Sequence, residues 1–347
     1  ERAPLDGLQA ALALDYPLQG FLTGRVDLGG SLAGLSGKGD VLINDGTLAG
    51  EPFDKLSTRL RIEGSTWYFD NLLLEKGAGT AKGHASINPS SRALAIELTG
   101  ANFALANIKI LTPSGKNSKA IKFNGQIGFE LRGAGTLENA NLQATWDCRN
   151  ISLAGASVGD LEGQVNWRGR EIHFKGESKG AAGEVSFSGT TRTEGDWPIE
   201  LSGTYTNLRV EPWLHLVLGK KLEARVTASG AVTVTGPMKD ASRIEVRTQS
   251  QNLEVKLPSL TWKNEQPVDF HYANRKLTAN RFRVSGPSTD LEVEGSIQLG
   301  PSPSLSLTAQ GRTDATILSI LDSGLQASGR SEVKLRVSGS PEHPLLY

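Results

Sequence analysis

The chain has 347 residues, enough for two or three compact domains, but only 38% of them are apolar, which argues against thick cores. Its 37 basic and 37 acidic side chains cancel, and with no basic block a nucleic-acid partner is excluded. A single cysteine, Cys148, excludes an intrachain disulfide framework, and no apolar run approaches the ~20 residues a membrane-spanning helix needs.

Glycine is abundant, 40 residues, and many of these glycines punctuate short apolar runs, the signature of many strands joined by tight turns. Residues 1–19 read as the end of a preceding repeat. There Leu5, Leu8, Ala11, Leu12 and Leu14 have helical spacing, with Pro4 in the first turn and Pro17 at the end.

Repeat 1, residues 20–122, opens with Leu22-Thr23-Gly24-Arg25-Val26-Asp27-Leu28-Gly29. Strands follow at Val41/Ile43, Leu60/Ile62, Trp67/Phe69, Leu72/Leu74, Ile87 and Leu94/Ile96/Leu98, each alternating with polar residues so that one face is apolar and one wet. Asn44-Asp45-Gly46 and Asn88-Pro89-Ser90-Ser91 are turn signals. Phe103, Leu105, Ile108 and Leu111 then predict a short helix stopped by Pro113, with a polar loop at Ser114–Lys119.

Repeat 2, residues 123–223, opens with Phe123-Asn124-Gly125-Gln126-Ile127-Gly128-Phe129-Glu130-Leu131 and closes on a helix at Val210–Leu218. Repeat 3, residues 224–324, opens with Ala228-Ser229-Gly230-Ala231-Val232-Thr233-Val234 and closes on a helix at Asp314–Leu321, with Asp314 as its N-cap. A fourth copy starts within residues 325–347, at Gly329-Arg330-Ser331-Glu332-Val333-Lys334-Leu335-Arg336-Val337. The leading glycines, Gly24, Gly125, Gly230 and Gly329, are 101, 105 and 99 residues apart, so one structural unit recurs along the chain. Tyr347 falls inside a repeat that has just begun. The sequence therefore reads as a middle piece, with any anchor or signal outside it.

About eight strands per repeat, apolar on one side, must hide that side somewhere. A closed barrel or a two-sheet sandwich would do it repeat by repeat, but beads of that kind want linkers, and none is visible. The other solution is a continuous curved sheet with an apolar trough. With about 25 strands of five to seven residues it would be on the order of 120 Å long and ~20 Å wide. Val26, Leu28, Ile127, Phe129, Leu131, Val232, Val234, Val333, Leu335 and Val337 are the expected lining.

Chemistry-bearing clusters are lacking in the sequence. His84, His173, His215, His271 and His343 are scattered without metal-ligand spacing, so neither a metal nor a cofactor is expected. Cys148 reads as a small buried side chain rather than a nucleophile. Gly77–Gly83 lacks the spacing of a phosphate loop. The six tryptophans could be packing groups or sugar-stacking platforms, and the short helices could be plugs over the trough or membrane-surface segments.

The opening Leu22–Leu32, the following Gly39-Asp40-Val41-Leu42-Ile43-Asn44-Asp45-Gly46-Thr47-Leu48-Ala49-Gly50 and the helix beginning Pro4-Leu5-Asp6-Gly7-Leu8 together resemble the TamB and AsmA-like repeat proteins of the bacterial envelope. The resemblance covers essentially the whole chain as a spacing pattern, with no catalytic signature. It implies an all-β fold with short helices at repeat boundaries, an elongated, curved, taco-like sheet with an apolar concave groove. It also implies a non-enzymatic role in carrying phospholipid between inner and outer membranes of a diderm bacterium. The expected setting is the periplasm, with an inner-membrane anchor outside this sequence and a TamA-type outer-membrane barrel as partner. The rival expectations are a β-solenoid stalk and an assembly factor that binds nascent barrel strands through a sheet edge.

Overall fold

Alternation of apolar and polar residues dominates the chain, and almost all of it that the structure describes is antiparallel β-strand: the protein is all-β. The computed structural model describes residues 3–5, 18–30, 34–48, 50–109, 123–136, 139–153, 156–180, 182–211, 224–257, 260–300, 303–315, 329–340 and 344–347. Two compact units emerge: Glu1–Ser152 with Gly159–Gly176, and Leu153–Val158 with Glu177–Tyr347.

The strands of the first unit are β1 (Ala3–Pro4), β2 (Leu18–Gly29), β3 (Ser36–Leu48), β4 (Glu51–Glu63), β5 (Thr66–Lys76), β6 (Gly79–Asn88), β7 (Ala93–Ala104), β8 (Phe123–Thr136) and β9 (Ala140–Leu153), followed by β10 (Ala156–Gly169) and β11 (Glu171–Gly180), whose residues are divided between the units. From β1 to β8 each strand pairs antiparallel with the next, a plain meander rather than the parallel stacking of a β-helix. The second unit continues with β12 (Gly183–Arg192), β13 (Pro198–Arg209), β14 (Arg225–Pro237), β15 (Glu245–Lys256), β16 (Thr261–Asn264), β17 (Val268–Ala273), β18 (Lys276–Gly286), β19 (Thr289–Gln298), β20 (Ser304–Asp314), β21 (Arg330–Gly339) and β22 (Pro344–Leu346). It too is an antiparallel meander, in which β16 and β17 act as one interrupted strand, both pairing with β15 and with β18. The interruption is held by Asn264, whose Oδ1 accepts from the Leu253 amide at 2.7 Å while its Nδ2 donates to the carbonyls of Gln251 and Gln266.

The strands are fewer and longer than the sequence predicts, and asparagine explains why. Trp67/Phe69 and Leu72/Leu74 read as two strands because the apolar phase changes between them. They belong to the single strand β5, where Asn71 sits at φ 53° and the register to β6 shifts between Phe69 and Leu72. Such a bulge flips the phase of alternation without ending the strand. Asn102 in β7, Asn150 in β9 and Asn207 in β13 repeat the device. Counting β16 and β17 as one, six described strands separate each leading glycine from the next: β2–β7, β8–β13 and β14–β20.

Asn44-Asp45-Gly46 is another bulge rather than a hairpin turn. Asp45 has φ 51° inside β3, and Asn44 and Gly46 pair with Lys55 and Phe53. Asn88–Ser91 does turn the chain, with the Asn88 side-chain oxygen accepting the amides of Ser90 and Ser91 at 3.1 and 3.0 Å. Of the expected helices, the one over Phe103–Leu111 is corrected in its described part, up to residue 109: Phe103 pairs with Ile127 in the sheet, and Leu105–Asn107 makes a single 3-10 turn. The predicted N-cap Asp314 is instead the last residue of β20, paired with Arg330. The first predicted helix is corrected at its start, since Pro4 is in β1, paired with Phe21; the rest of it within 6–17, most of the predicted helices Val210–Leu218 and Asp314–Leu321, and the loop Ser114–Lys119 lie outside the described residues.

A small sealed core exists at one end of the first unit's strands. Leu5, Ile43, Phe53 and Leu56 are buried together, with Leu18, Leu22, Val41 and Leu74 packed around them.

Candidate functional site

Register assigns every side chain to a face, because direct partners in an antiparallel pair point the same way. In the first unit Val26, Gly39, Leu60, Phe69, Ala85, Ile96 and Gly133 are successive partners from β2 to β8. A second row, Leu28, Gly37, Ile62, Trp67, Ile87, Leu94 and Gly135, runs beside it. On the same face Leu131 meets Leu98, Phe129 lies on Gly100, and Ile127 meets Phe103, with the Phe103 and Phe129 rings 5.7 Å apart.

The second unit has the same construction. Phe187, Gly203, Val232, Thr248, Phe270, Ala279, Gly295, Leu307 and Val337 form one row, and Gly189, Leu201, Val234, Val246, Tyr272, Leu277, Ile297, Leu305 and Gly339 another. Leu335 follows Ala309 and Val293, and Val333 follows Gly311 and Leu291, on that face. Five of the ten residues expected from sequence thus share the apolar face of the first unit, and the other five share that of the second. The aromatic members Trp67, Phe69, Phe187, Phe270 and Tyr272 complete the rows, and register, not spacing along the chain, is what identifies them.

These rows are not sealed. In the second unit every residue of the two rows is half-buried except Leu305, which is buried. The deepest burial lies at the far end of the strands, where Val268, Val284, Leu291 and Thr313 are 1%, 6%, 3% and 0% exposed. In the first unit β4 is buried along its length, through Phe53, Leu56, Thr58, Leu60 and Ile62, while Val26, Phe69, Trp67, Ile87, Leu94, Ile96 and Leu131 are half-buried and Leu28 is exposed. A filled sandwich interior would take such residues below a tenth exposed, so most of each apolar face still meets solvent. Neighbouring strands approach closely at glycines in these rows. A Cβ on Gly133 would strike the Asn141 carbonyl and one on Gly311 the Asp290 carbonyl, so only glycine allows the adjacent backbone this near at these points.

Polar groups on the apolar face are few, and those around Tyr205 are satisfied among themselves, while the buried Thr191 hydroxyl beside Ile199 has no partner. The Tyr205 hydroxyl is 2.7 Å from both Thr248 Oγ1 and Ser250 Oγ, and Thr248 Oγ1 donates to the Ala231 carbonyl.

The opposite face is charged and internally paired. Arg59 meets Asp40 at 3.8 Å and Arg61 meets Asp70 at 3.2 Å and Glu63 at 2.6 Å in the first unit. In the second, Arg281 meets Glu292 at 3.0 Å and Glu294 at 3.2 Å. Hydrogen bonds from Lys256 and Lys263 hold the Glu254 carboxyl below its usual range.

Cys148 is 8% exposed, and burial, helped by Asp147, pushes its thiol up to about 11, the opposite of what a nucleophile needs. His84, His173 and His271 each lie 3.7–3.8 Å from a glutamate, and among the described residues no group of His, Cys, Asp and Glu could hold a metal ion. The Gly77 amide donates to Asp54 Oδ2 at 2.6 Å, so this backbone donor already holds a carboxylate. Trp67 and Trp146 belong to the apolar face, Trp146 against Gly163, and the Trp167 indole donates to the Gly169 carbonyl at 2.7 Å. Trp213, His215 and His343 lie outside the described residues.

Comparison with protein-family models, with curated proteins and with solved structures finds no match to the chain.

Proposed function

We propose that the chain is a segment of a bridge-like lipid transfer protein whose apolar sheet face holds the acyl chains of phospholipids. The observation that carries this reading is the half-burial of two long apolar rows in the second unit, matched by the partly open face of the first. Water against such rows is unfavourable, and each methylene moved onto them contributes roughly 0.8 kcal/mol, so a single acyl tail supplies many increments. No convergent set of hydrogen-bonding groups projects from the rows, since the Tyr205 hydroxyl is taken by Thr248 and Ser250. A face of this kind binds tails without fixing them at one position, which suits movement along it better than storage.

The wider setting follows from the resemblance of the repeats: a periplasmic, non-catalytic conduit between inner and outer membranes, anchored by a segment outside this sequence and meeting a TamA-type barrel. Phospholipid extracted from the purified protein and quantified by mass spectrometry tests the reading. The expected result is stoichiometric lipid that falls sharply in Phe129→Asp and Val234→Asp, because an unpaired carboxylate against hydrocarbon costs several kcal/mol. A folded protein without lipid, or one whose lipid survives both substitutions, overturns it. Capture of extended peptide in place of lipid would favour the sheet-edge alternative.

A further inference from the structure

One long edge of the first unit is open. Among the described residues only β1 lies against the outer side of β2, at Phe21 and Leu22, so the backbone of residues 23–29 has a strand on its β3 side alone. The other three leading strands each have a strand on the corresponding side: β8 pairs with β7, β14 with β13 and β21 with β20. An uncovered row of amides and carbonyls of this length is a template for another strand, and it leaves Leu28 60% exposed.

The side chains beside this edge select the strand that fits. On the charged face Arg25, Asp40, Arg59 and Asp70 are direct partners from β2 to β5, a ladder whose sign alternates at every rung. Its next rung, outside Arg25, needs a carboxylate. Asp27 stands beside Lys38 in the neighbouring row, and its own outer neighbour needs to be a base. The strand β2 carries both groups itself. Two copies of it laid antiparallel about Val26 set Arg25 against Asp27 and Asp27 against Arg25, so the contact that satisfies one copy satisfies the other. Within one chain these two side chains face each other along the strand at 3.6 Å and are largely exposed. The apolar face agrees with the charged one. In the same register Val26 meets Val26 and Leu28 lies on Gly24, as Phe129 lies on Gly100 and Val333 on Gly311 in the covered leading strands. A strand of unrelated sequence would have to offer acid, apolar residue, base and glycine at four successive positions, and a second copy of this chain already does.

We infer that the open edge of β2 is a homodimer interface, in which two chains pair antiparallel along residues 23–29 about a two-fold axis at Val26. Direct partners point the same way, so the apolar faces of the two first units fall on one side of the joined sheet, whatever those faces hold. Sedimentation velocity of the whole chain over a concentration series should show a monomer–dimer equilibrium. Arg25→Asp and Asp27→Arg each set like charges opposite one another and should weaken the dimer roughly tenfold. The double variant Arg25→Asp/Asp27→Arg, and an equimolar mixture of the two single variants, should recover it. Both side chains are exposed, and circular dichroism of each variant reports that the fold is kept. In a Cys148→Ala background, Val26→Cys should link to its own copy on mild oxidation, because opposed Cα atoms ~5 Å apart suit a disulfide. Thr23→Cys should not, since its two copies would stand ~20 Å apart along the strands. A chain that stays monomeric throughout the series leaves the edge to a strand of another sequence and overturns the interface. So does a dimer that survives both single reversals or is not recovered by the double one. Failure of Val26→Cys to link, or equal linking by Thr23→Cys, overturns the register and with it the proposal.

Discussion

Cys148 shows how one residue reports the environment of its face. It follows Trp146 in the alternation of β9, and the structure buries it and raises its thiol to about 11 from an ordinary value of 9.0. A raised acid of this kind adds stability that is complete below the thiol's ordinary value and is lost as the pH climbs through the folded value. The urea midpoint should therefore fall between pH 8 and pH 11 more steeply in the native protein than in Cys148→Ala. At pH 8, iodoacetamide should label the native thiol far more slowly than the unfolded one. Equal labelling rates, or parallel pH profiles for the two proteins, would contradict the burial. This residue was legible in advance because its place in an alternating run fixes its face. Tyr205 was not: its partners Thr248 and Ser250 are more than forty positions away, and only register brings them to it.

The element scale is where sequence reading and structure diverge most, and the bulges are the cause. Period-two alternation identified nearly every apolar segment, so fold class and facing were legible. The phase reversals at Asn71 and Asn150 were indistinguishable from turns by pattern alone, and so was Asp45 beside Gly46, because the same residue types tolerate the left-handed conformation in both settings. Long strands were consequently counted as pairs of short ones. Asn71 gives a direct test. At φ 53° and exposed, it should accept glycine with little change, whereas Asn71→Val should cost about 1–2 kcal/mol, the penalty for a branched side chain held in that region. Urea unfolding of the two variants checks this. A valine variant as stable as the glycine one would mean that β5 passes this point without a bulge.

At the scale of the whole molecule, what matters is whether both units present the same kind of surface to the same kind of guest. The ten residues expected to line a groove do fall on the apolar face of their own unit, yet spacing could not say whether those faces were sealed. That answer depends on what covers each row in three dimensions, and it is read from the half-burial of the side chains rather than from their order along the chain. A photoreactive benzophenone amino acid, placed singly along β8 and β14 in cells supplying radiolabelled phospholipid, reads the facing directly. Positions Ile127, Phe129 and Leu131 should yield lipid adducts while Gln126, Glu130 and Arg132 should not, since successive side chains point to opposite sides. Val232 and Val234 should likewise react, and Thr233 and Thr235 should stay silent. The alternation carries the argument: acyl chains on a face must reproduce the two-residue period in both strands. Binding at an edge would give adducts without it. Uniform yields along β8 and β14, or adducts in one unit alone, would show that the apolar rows are not a shared lipid surface.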